Sequence, residues 1–146
     1  MDSLPTSSMQ HISYWEFFQQ YYKPLLQDLD ILLKCMETTI SVDETAQALA
    51  LTKETVESIM TAEKIDHIDQ KGFWSIVLQG NSQLCGLLQR EYLCGSPTLY
   101  SPEHIAYIHS LQLEHITQIF EANGYTEVPA QNLGDVLSQI YVFIMQ

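Results

Sequence analysis

The sequence predicts a mainly α fold, a helical domain with two related helical units and one small β-hairpin. Three observations predict it: one segment recurs 60 residues later, apolar residues follow helical spacing over most of the chain, and a turn-rich tetrapeptide separates two β-prone runs. At 146 residues the chain is long enough for one buried core. We expect a single domain with one lobe at about 12–80 and another at about 82–146.

The first predicted helix is aromatic over much of its surface. Ser13 followed by Glu16 fits a capping box at its start. Five of the next eight positions after Tyr14 are aromatic, which is more than one helical face can bury. Core packing explains some of them, and the surplus indicates an interface with another chain. The candidate interface residues are Trp15, Phe18, Tyr21 and Tyr22.

Pro24 interrupts this helical pattern. Proline suits the first turn of a helix and disturbs an interior, so it predicts a kink or a fresh start. A stripe of leucines then continues at helical spacing, so we expect two helical pieces that pack against the first repeated unit.

The repeat aligns Ser41–Ala62 with Ser101–Ala122 without a gap. Six pairs are identical, and three more are conservative. Two copies are fewer than a solenoid needs, so the pattern indicates a duplicated small unit. The identical pairs are Ser41/Ser101, Ala46/Ala106, Leu51/Leu111, Glu54/Glu114, Ile59/Ile119 and Ala62/Ala122.

Each copy carries the signals of two short helices. In the first copy Ser41 with Glu44 forms a capping box, and Thr52 is an N-cap for a second helix. In the second copy Ser101 precedes Pro102 at the first helical position, and Gly124 is a natural helix stop. The second helix of each copy has an apolar stripe at three-to-four spacing: Val56, Ile59 and Met60, and Ile116, Ile119 and Phe120.

The order of residues in each copy resembles the helix-turn-helix family. That family has a small residue in the first helix and apolar residues on both sides of a tight corner, often with glycine there. The first copy has Ala46, Leu49 and Leu51 in this order, with Ala50 at the corner. The second copy departs further, with His109 at an apolar position and Ser110 at the corner.

The residues after the first copy predict a wing-like hairpin. The tetrapeptide Asp69-Gln70-Lys71-Gly72 lies between Ile65–Ile68 and Phe73–Leu78. A hairpin directly after a helix-turn-helix resembles the wing of winged-helix domains. The alternative is that Phe73–Leu78 is a buried helical segment, because a short apolar run fits both structures.

The second lobe is expected to be helical. Ser82 is a candidate cap for a helix that stops at Gly95, and Asn132 is a candidate cap for a last helix that carries an apolar stripe to Tyr141. Cys85, Cys94, His104 and His109 are possible zinc ligands by atom type. Their spacing does not match a zinc knuckle or a helical pair, so we expect neither a metal nor a cofactor.

The helix-turn-helix resemblance implies a candidate nucleic-acid surface. In that family the exposed residues early in the second helix meet base edges. The matching positions of the first copy include Thr52, Lys53 and Ser58, while Lys64 and Lys71 are placed to meet phosphates. A net charge of −12 opposes this interpretation, because each phosphate contact needs a cation. The second copy contains no Lys or Arg.

Charge and motifs favour a protein partner. An acidic surface repels DNA and anionic membranes, and no enzyme signature appears. We therefore expect a non-enzymatic regulatory or protein-interaction module on a helix-turn-helix scaffold, with another protein or a second copy as partner; a DNA-binding transcriptional regulator is the alternative. Three cysteines, an odd number, and an N-terminus unlike a signal peptide predict a cytoplasmic location.

Overall fold

The computed structural model describes residues 9–145, with the side chains of residues 11–142, and confirms the mainly α fold class. Two small antiparallel sheets of two strands accompany the helices. The elements are β1 (Met9–Ser13), α1 (Tyr14–Cys35), α2 (Val42–Leu49), α3 (Lys53–Glu63), α4 (Gln70–Gln79), α5 (Gln83–Leu93), β2 (Leu99–Tyr100), α6 (Pro102–His109), α7 (Leu113–Asn123), β3 (Val128–Pro129), a 3-10 turn (Ala130–Asn132), α8 (Leu133–Leu137) and β4 (Tyr141–Met145).

The chain divides into two compact units. The middle unit is Tyr22–Ser96, and the terminal unit combines the residues up to Tyr21 with those from Pro97 onward. These boundaries differ from the predicted lobes in two places. Helix α5 lies in the middle unit, and the aromatic first part of α1 lies in the terminal unit.

Helix α1 runs without interruption through Pro24, so the prediction of two pieces was wrong. Proline removes one N–H and leaves the carbonyl of the residue four positions earlier, Gln20, without that donor. Both residues are exposed, so water can solvate the carbonyl and the helix continues.

The first copy of the repeat forms the helical hairpin α2–α3 as its capping signals predict. The backbone N–H of Glu44 donates to Ser41 Oγ at 3.0 Å, and the N–H of Ser41 donates to Glu44 Oε1 at 3.1 Å. Ala50 ends α2 in the left-handed conformation with φ 55°. The N–H of Leu51 then donates to the carbonyl of Ala46 at 2.9 Å, which closes the corner.

The second copy, α6–α7, has the same helix boundaries shifted by 60 residues. Ser110 at its corner also has φ 55°, and the N–H of Leu111 donates to the carbonyl of Ala106 at 2.9 Å. Both N-caps are chemically different. The side chain of Gln112 makes no cap hydrogen bond, whereas the side chain of Thr52 caps α3. His104 replaces the capping glutamate, and its Nδ1 accepts the N–H of Ser101 at 3.2 Å.

The structural repeat is longer than the sequence match. Ile40 and Ile68 form an antiparallel bridge in the middle unit, and Tyr100 and Val128 pair in the terminal unit at positions shifted by 60. Burial continues in the same register into the next helix, where each copy buries two neighbouring apolar residues. These are Ile76 and Val77 on α4, and Val136 and Leu137 on α8.

The wing-like hairpin predicted at Ile65–Leu78 is wrong, because Gln70–Gln79 is helix α4. The Asp69 side chain accepts the N–H of Gly72 at 2.7 Å, so the tetrapeptide that resembles a turn is an N-cap and first helical turn. Phe73, Ile76 and Val77 recur at helical spacing and are fully buried or nearly so. The helical alternative for this run is therefore the observed one.

The predicted last helix is also too long. Helix α8 ends at Leu137, and Tyr141–Met145 instead forms β4, which pairs antiparallel with Met9–Ser13. Both strands belong to the terminal unit. The apolar residues after Leu137 thus fit a strand whose partner lies at the other end of the sequence.

Each unit has its own buried apolar set. The middle unit has a core cluster that α1, α2, α3, α4 and α5 all supply: Leu29, Ala46, Leu49, Val56, Ile59, Ile68, Phe73, Ile76, Val77 and Cys85. In the terminal unit the matching positions of α6, α7 and α8 are buried: Ala106, Ile116, Ile119, Val136 and Leu137.

Replacing the small residue at each helix crossing tests the duplicated packing. Ala46 and Ala106 are 8% and 9% exposed. We expect Ala46→Leu and Ala106→Leu each to lower the free energy of unfolding by about 1–3 kcal/mol, because added methylenes overpack a close contact. Urea denaturation followed by circular dichroism measures this change.

Ala62→Leu and Ala122→Leu are the matched controls, since both alanines occupy exposed positions of the same repeat. We expect them to change stability by less than about 0.5 kcal/mol. Equal effects at the crossing and control positions would contradict the proposed close helix contact.

The capping residues Glu44 and His104 occupy equivalent positions, so each can be replaced by the residue of the other copy. We expect His104→Glu to raise the free energy of unfolding by about 0.5–1 kcal/mol, since a carboxylate accepts the Ser101 N–H and also favours the positive end of α6. Glu44→His should lower it by a similar amount. Thermal denaturation at pH 8 measures both, and a stabilising Glu44→His would exclude this account of the caps.

Candidate functional site

The exposed face of α3 is where the helix-turn-helix resemblance places base contacts, and this face is acidic. Lys53 Nζ lies 3.8 Å from Asp43 Oδ1, and both side chains are exposed, at 55% and 79%. Solvent screens such a pair, so it contributes little stability, but the carboxylate reduces the local positive potential. Glu54, Glu57, Ser58, Thr61 and Ala62 line the shallow surface farther along the helix.

The remaining candidate contacts do not share one helix face. Thr52 is the N-cap of α3, where its hydroxyl accepts the N–H of Thr55 at 3.1 Å and contacts the Thr55 hydroxyl at 2.8 Å. Lys64 caps the other end of α3, roughly 16 Å along the axis from Lys53 at 1.5 Å per residue. Lys71 lies in the first turn of α4 and not at the tip of a wing.

Helix α7 has no Lys or Arg on the equivalent face or elsewhere. Leu113, Glu114 and Gln118 are exposed on it, and Leu113 occupies the position of Lys53 with 45% of its side chain accessible. Neither copy therefore presents the cationic second helix that a DNA-binding member of the family needs.

Two of the predicted interface aromatics pack within the terminal unit. Trp15 stacks on Phe18 with ring centroids 5.7 Å apart, and Phe18 meets His109 edge-on at 5.5 Å. The Tyr14 hydroxyl is 2.8 Å from His109 Nδ1, so the histidine at an apolar position of the repeat is held by aromatic and polar contacts. The backbone of Gly134 lies against the Trp15 indole.

The other two aromatic candidates differ in exposure. Tyr22 is only 7% exposed, so a second chain cannot reach it in this structure. Tyr21 is 39% exposed and stacks on Phe17 at 5.6 Å. Of the four predicted residues, Tyr21 offers the most accessible ring.

An apolar groove on the middle unit was missed from the sequence. It lies between α4 and α5, encloses about 370 Å³ and is lined by Trp74, Val77, Leu78, Leu88 and Tyr92. Three of these are substantially exposed: Trp74 at 42%, Leu78 at 41% and Tyr92 at 65%. The sequence did contain an indication of this groove, because α4 carries more apolar residues than a single buried stripe can accommodate.

Two thiols of the middle unit, Cys85 and Cys94, have a raised pKa. Burial raises the pKa of Cys85. Its Sγ lies 4.0 Å from the carbonyl oxygen of Leu49. Burial and the nearby Glu91 carboxylate raise the pKa of Cys94. A raised pKa makes each a poor nucleophile and metal ligand at neutral pH. No cluster of three metal-binding side chains occurs among residues 11–142.

No protein-family model, curated protein or solved structure matches the chain. In the described part of the chain, no helix has the length and apolar content required to cross a bilayer. Functional residues are therefore inferred from the geometry and chemistry of this chain alone.

The contact between Trp15 and Gly134 is open to a direct test. A Cβ at position 134 would lie 2.9 Å from Trp15 Cε2, so we expect Gly134→Ala to push the indole out. Overpacking outweighs the gain in helix propensity, and the free energy of unfolding should fall by about 1 kcal/mol. Trp15 emission, measured in a Trp74→Phe background, should shift to the red.

Gly86→Ala is the matched control, because the nearest atom to its added Cβ is the end of the flexible Arg90 side chain. We expect this variant to gain about 0.5 kcal/mol from reduced chain entropy. An unchanged Trp15 spectrum in Gly134→Ala would disprove the contact.

Proposed function

We propose that this protein is a non-enzymatic regulatory module that binds another protein, built on a duplicated helix-turn-helix scaffold. The observation that carries the proposal is the apolar groove between α4 and α5. Exposed apolar side chains gathered in a concave surface are typical of protein-interaction sites.

The two copies of the repeat support this assignment. Leu78 on α4 corresponds to the exposed Ser138 at the position shifted by 60, whereas the neighbouring buried Val77 corresponds to the buried Leu137. Apolar character is therefore shared at the buried position and differs at the exposed one. The scaffold does not need an apolar residue at the position of Leu78, which favours a role in binding.

DNA binding is the alternative, and the surface charge opposes it. The candidate contacts Thr52, Lys53, Ser58, Lys64 and Lys71 include three lysines, one of them beside Asp43. Glutamates occupy the surface between the two lysines at the ends of α3. At a net charge of −12, long-range repulsion would slow approach to any polyanion.

The cytoplasm is the compartment that we propose. Cys35, Cys85 and Cys94 are all unpaired thiols in the structure, and reducing conditions preserve such thiols.

A mobility-shift assay with mixed-sequence duplex DNA at low salt separates the two functions. We expect no complex with the wild-type chain. A variant with Glu54→Lys and Glu57→Lys should bind measurably, because it restores a positive face to α3, and its affinity should fall steeply as salt increases.

The double variant is also the positive control, because it shows that the assay can detect DNA binding by this scaffold. Tight, salt-sensitive binding by the wild-type chain that Lys53→Glu abolishes would overturn the proposed function and establish the alternative.

A further inference from the structure

We infer that the outer face of α6–α7 in the terminal unit binds a segment of another protein that carries arginine or lysine beside apolar side chains. The face consists of Glu103 and Tyr107 on α6 and Leu113 and Glu114 on α7, and all four side chains are exposed. The inference goes beyond the proposed function, because it identifies a second surface and the chemistry of what binds there.

The terminal unit contains carboxylates but no lysine or arginine. All six Lys and Arg residues of the chain lie within Tyr22–Ser96, which is the middle unit. Two carboxylates, Glu103 and Glu114, belong to the outer face itself. The local potential at this face is therefore negative, and it favours a cationic partner.

The first copy of the repeat shows which charge is missing from the second. In α2–α3, Lys53 Nζ lies 3.8 Å from Asp43 Oδ1. The equivalent residues in α6–α7 are Leu113 and Glu103, and both copies share helix boundaries and the corner hydrogen bond. Leu113 therefore lies on the same side as Glu103 but brings no cation. Among residues 11–142 no ion pair involves Glu103, so a partner's cation can supply the missing charge.

The apolar part of the face is also specific to the second copy. Tyr107 is 48% exposed and Leu113 is 45% exposed, and Tyr107 shares a helix face with Glu103 four residues earlier. The equivalent positions of the first copy hold Gln47 and Lys53, which are polar and exposed. The scaffold therefore needs no apolar residue at either position. Apolar side chains beside a carboxylate suit both the stem and the charged head of an arginine or lysine.

The same face of a second copy is not complementary to this one. Two such faces in contact would bring Glu103 and Glu114 close to identical carboxylates, and like charges across an interface oppose binding. A basic segment instead places a cation against Glu103 and an apolar side chain against Tyr107 and Leu113. The occupant is therefore a different protein.

Two synthetic peptides test the inference at pH 8 and low salt. They share the same apolar residues, and their charged positions carry arginine in one peptide and glutamate in the other. Fluorescence anisotropy of the labelled peptides measures affinity. Amide chemical shifts of the isotope-labelled chain locate the site.

The arginine peptide should bind at least roughly tenfold more tightly than the glutamate peptide, with the largest chemical-shift changes at Tyr107 and Leu113. Leu113→Lys introduces the residue of the first copy, which can pair with Glu103, and should weaken the arginine peptide by at least roughly tenfold. Tyr107→Gln also introduces the first-copy residue and should weaken it by roughly tenfold.

Glu121→Gln is the charge-matched control, because it changes the net charge by the same amount as Leu113→Lys. Glu121 is exposed in the last turn of α7, roughly 12 Å along the axis from Leu113 at 1.5 Å per residue. Its replacement should change affinity by less than roughly twofold, since salt screens exposed charges at such distances. Leu78→Ser is the apolar control, because Leu78 is 41% exposed but lies in the middle unit, and it should have no effect.

Four results would overturn the inference. Neither peptide binds, or the glutamate peptide binds as tightly as the arginine peptide. Leu113→Lys and Tyr107→Gln weaken binding no more than Glu121→Gln does. The chemical-shift changes fall on α4 and α5 and Leu78→Ser weakens the peptide, which would place it in the groove. Light scattering finds a dimer that Leu113→Lys dissociates, which would identify a second copy as the occupant.

Melting temperatures equal to wild type confirm that each variant is folded. Failure of the proposed function is a separate outcome, since it would appear as DNA binding by the wild-type chain in the mobility-shift assay.

Discussion

The left-handed corner between paired helices is the constraint on which both units depend. Ala50 and Ser110 each adopt φ 55°, a conformation that costs about 1–2 kcal/mol for residues other than glycine. The corner persists because the helices on both sides of it bury apolar side chains, such as Leu49 and Val56 in one copy and Ile108 and Ile116 in the other. Ala46 or Ala106 is also small enough for close approach. With this corner fixed, Ile40 reaches Ile68 and Tyr100 reaches Val128, so the strand pairing that leads into the next helix follows from it.

Duplication separates what the scaffold needs from what each copy has acquired. Positions that face the core keep apolar residues in both copies, as Val56 and Ile116 do at full burial. The half-buried His109, which stands at the position of the buried Leu49, has a polar partner in the Tyr14 hydroxyl. On the surface the copies diverge freely, and Leu113 in place of Lys53 is one example. The exposed differences, and not the shared core, therefore carry information about function.

The parts of the fold that depend on local chemistry were predictable. Serine and threonine caps, Pro102 and Gly124 act within one turn of the chain, so their effects appear in the sequence. The α4 run was ambiguous because its five apolar residues fit a strand or a helix equally well. Asp69 is a cap if the run is a helix and a turn residue if the run is a strand. Strand β4 depends on pairing with Met9–Ser13, a contact between distant positions that leaves no local signal. The surplus of apolar residues on α4 was visible in the sequence, but the groove itself depends on how α4 packs against α5.

The acidic face of α3 and the apolar groove both differ from the surface of a DNA-binding helix-turn-helix. A helix-turn-helix that binds DNA concentrates cations on its second helix, since affinity for a polyanion comes mainly from counterion release. Here that helix presents Glu54 and Glu57, and exposed apolar side chains appear instead on the following pair, α4 and α5. Under the proposed function, the uncharged groove supplies the short-range contacts that select a protein partner.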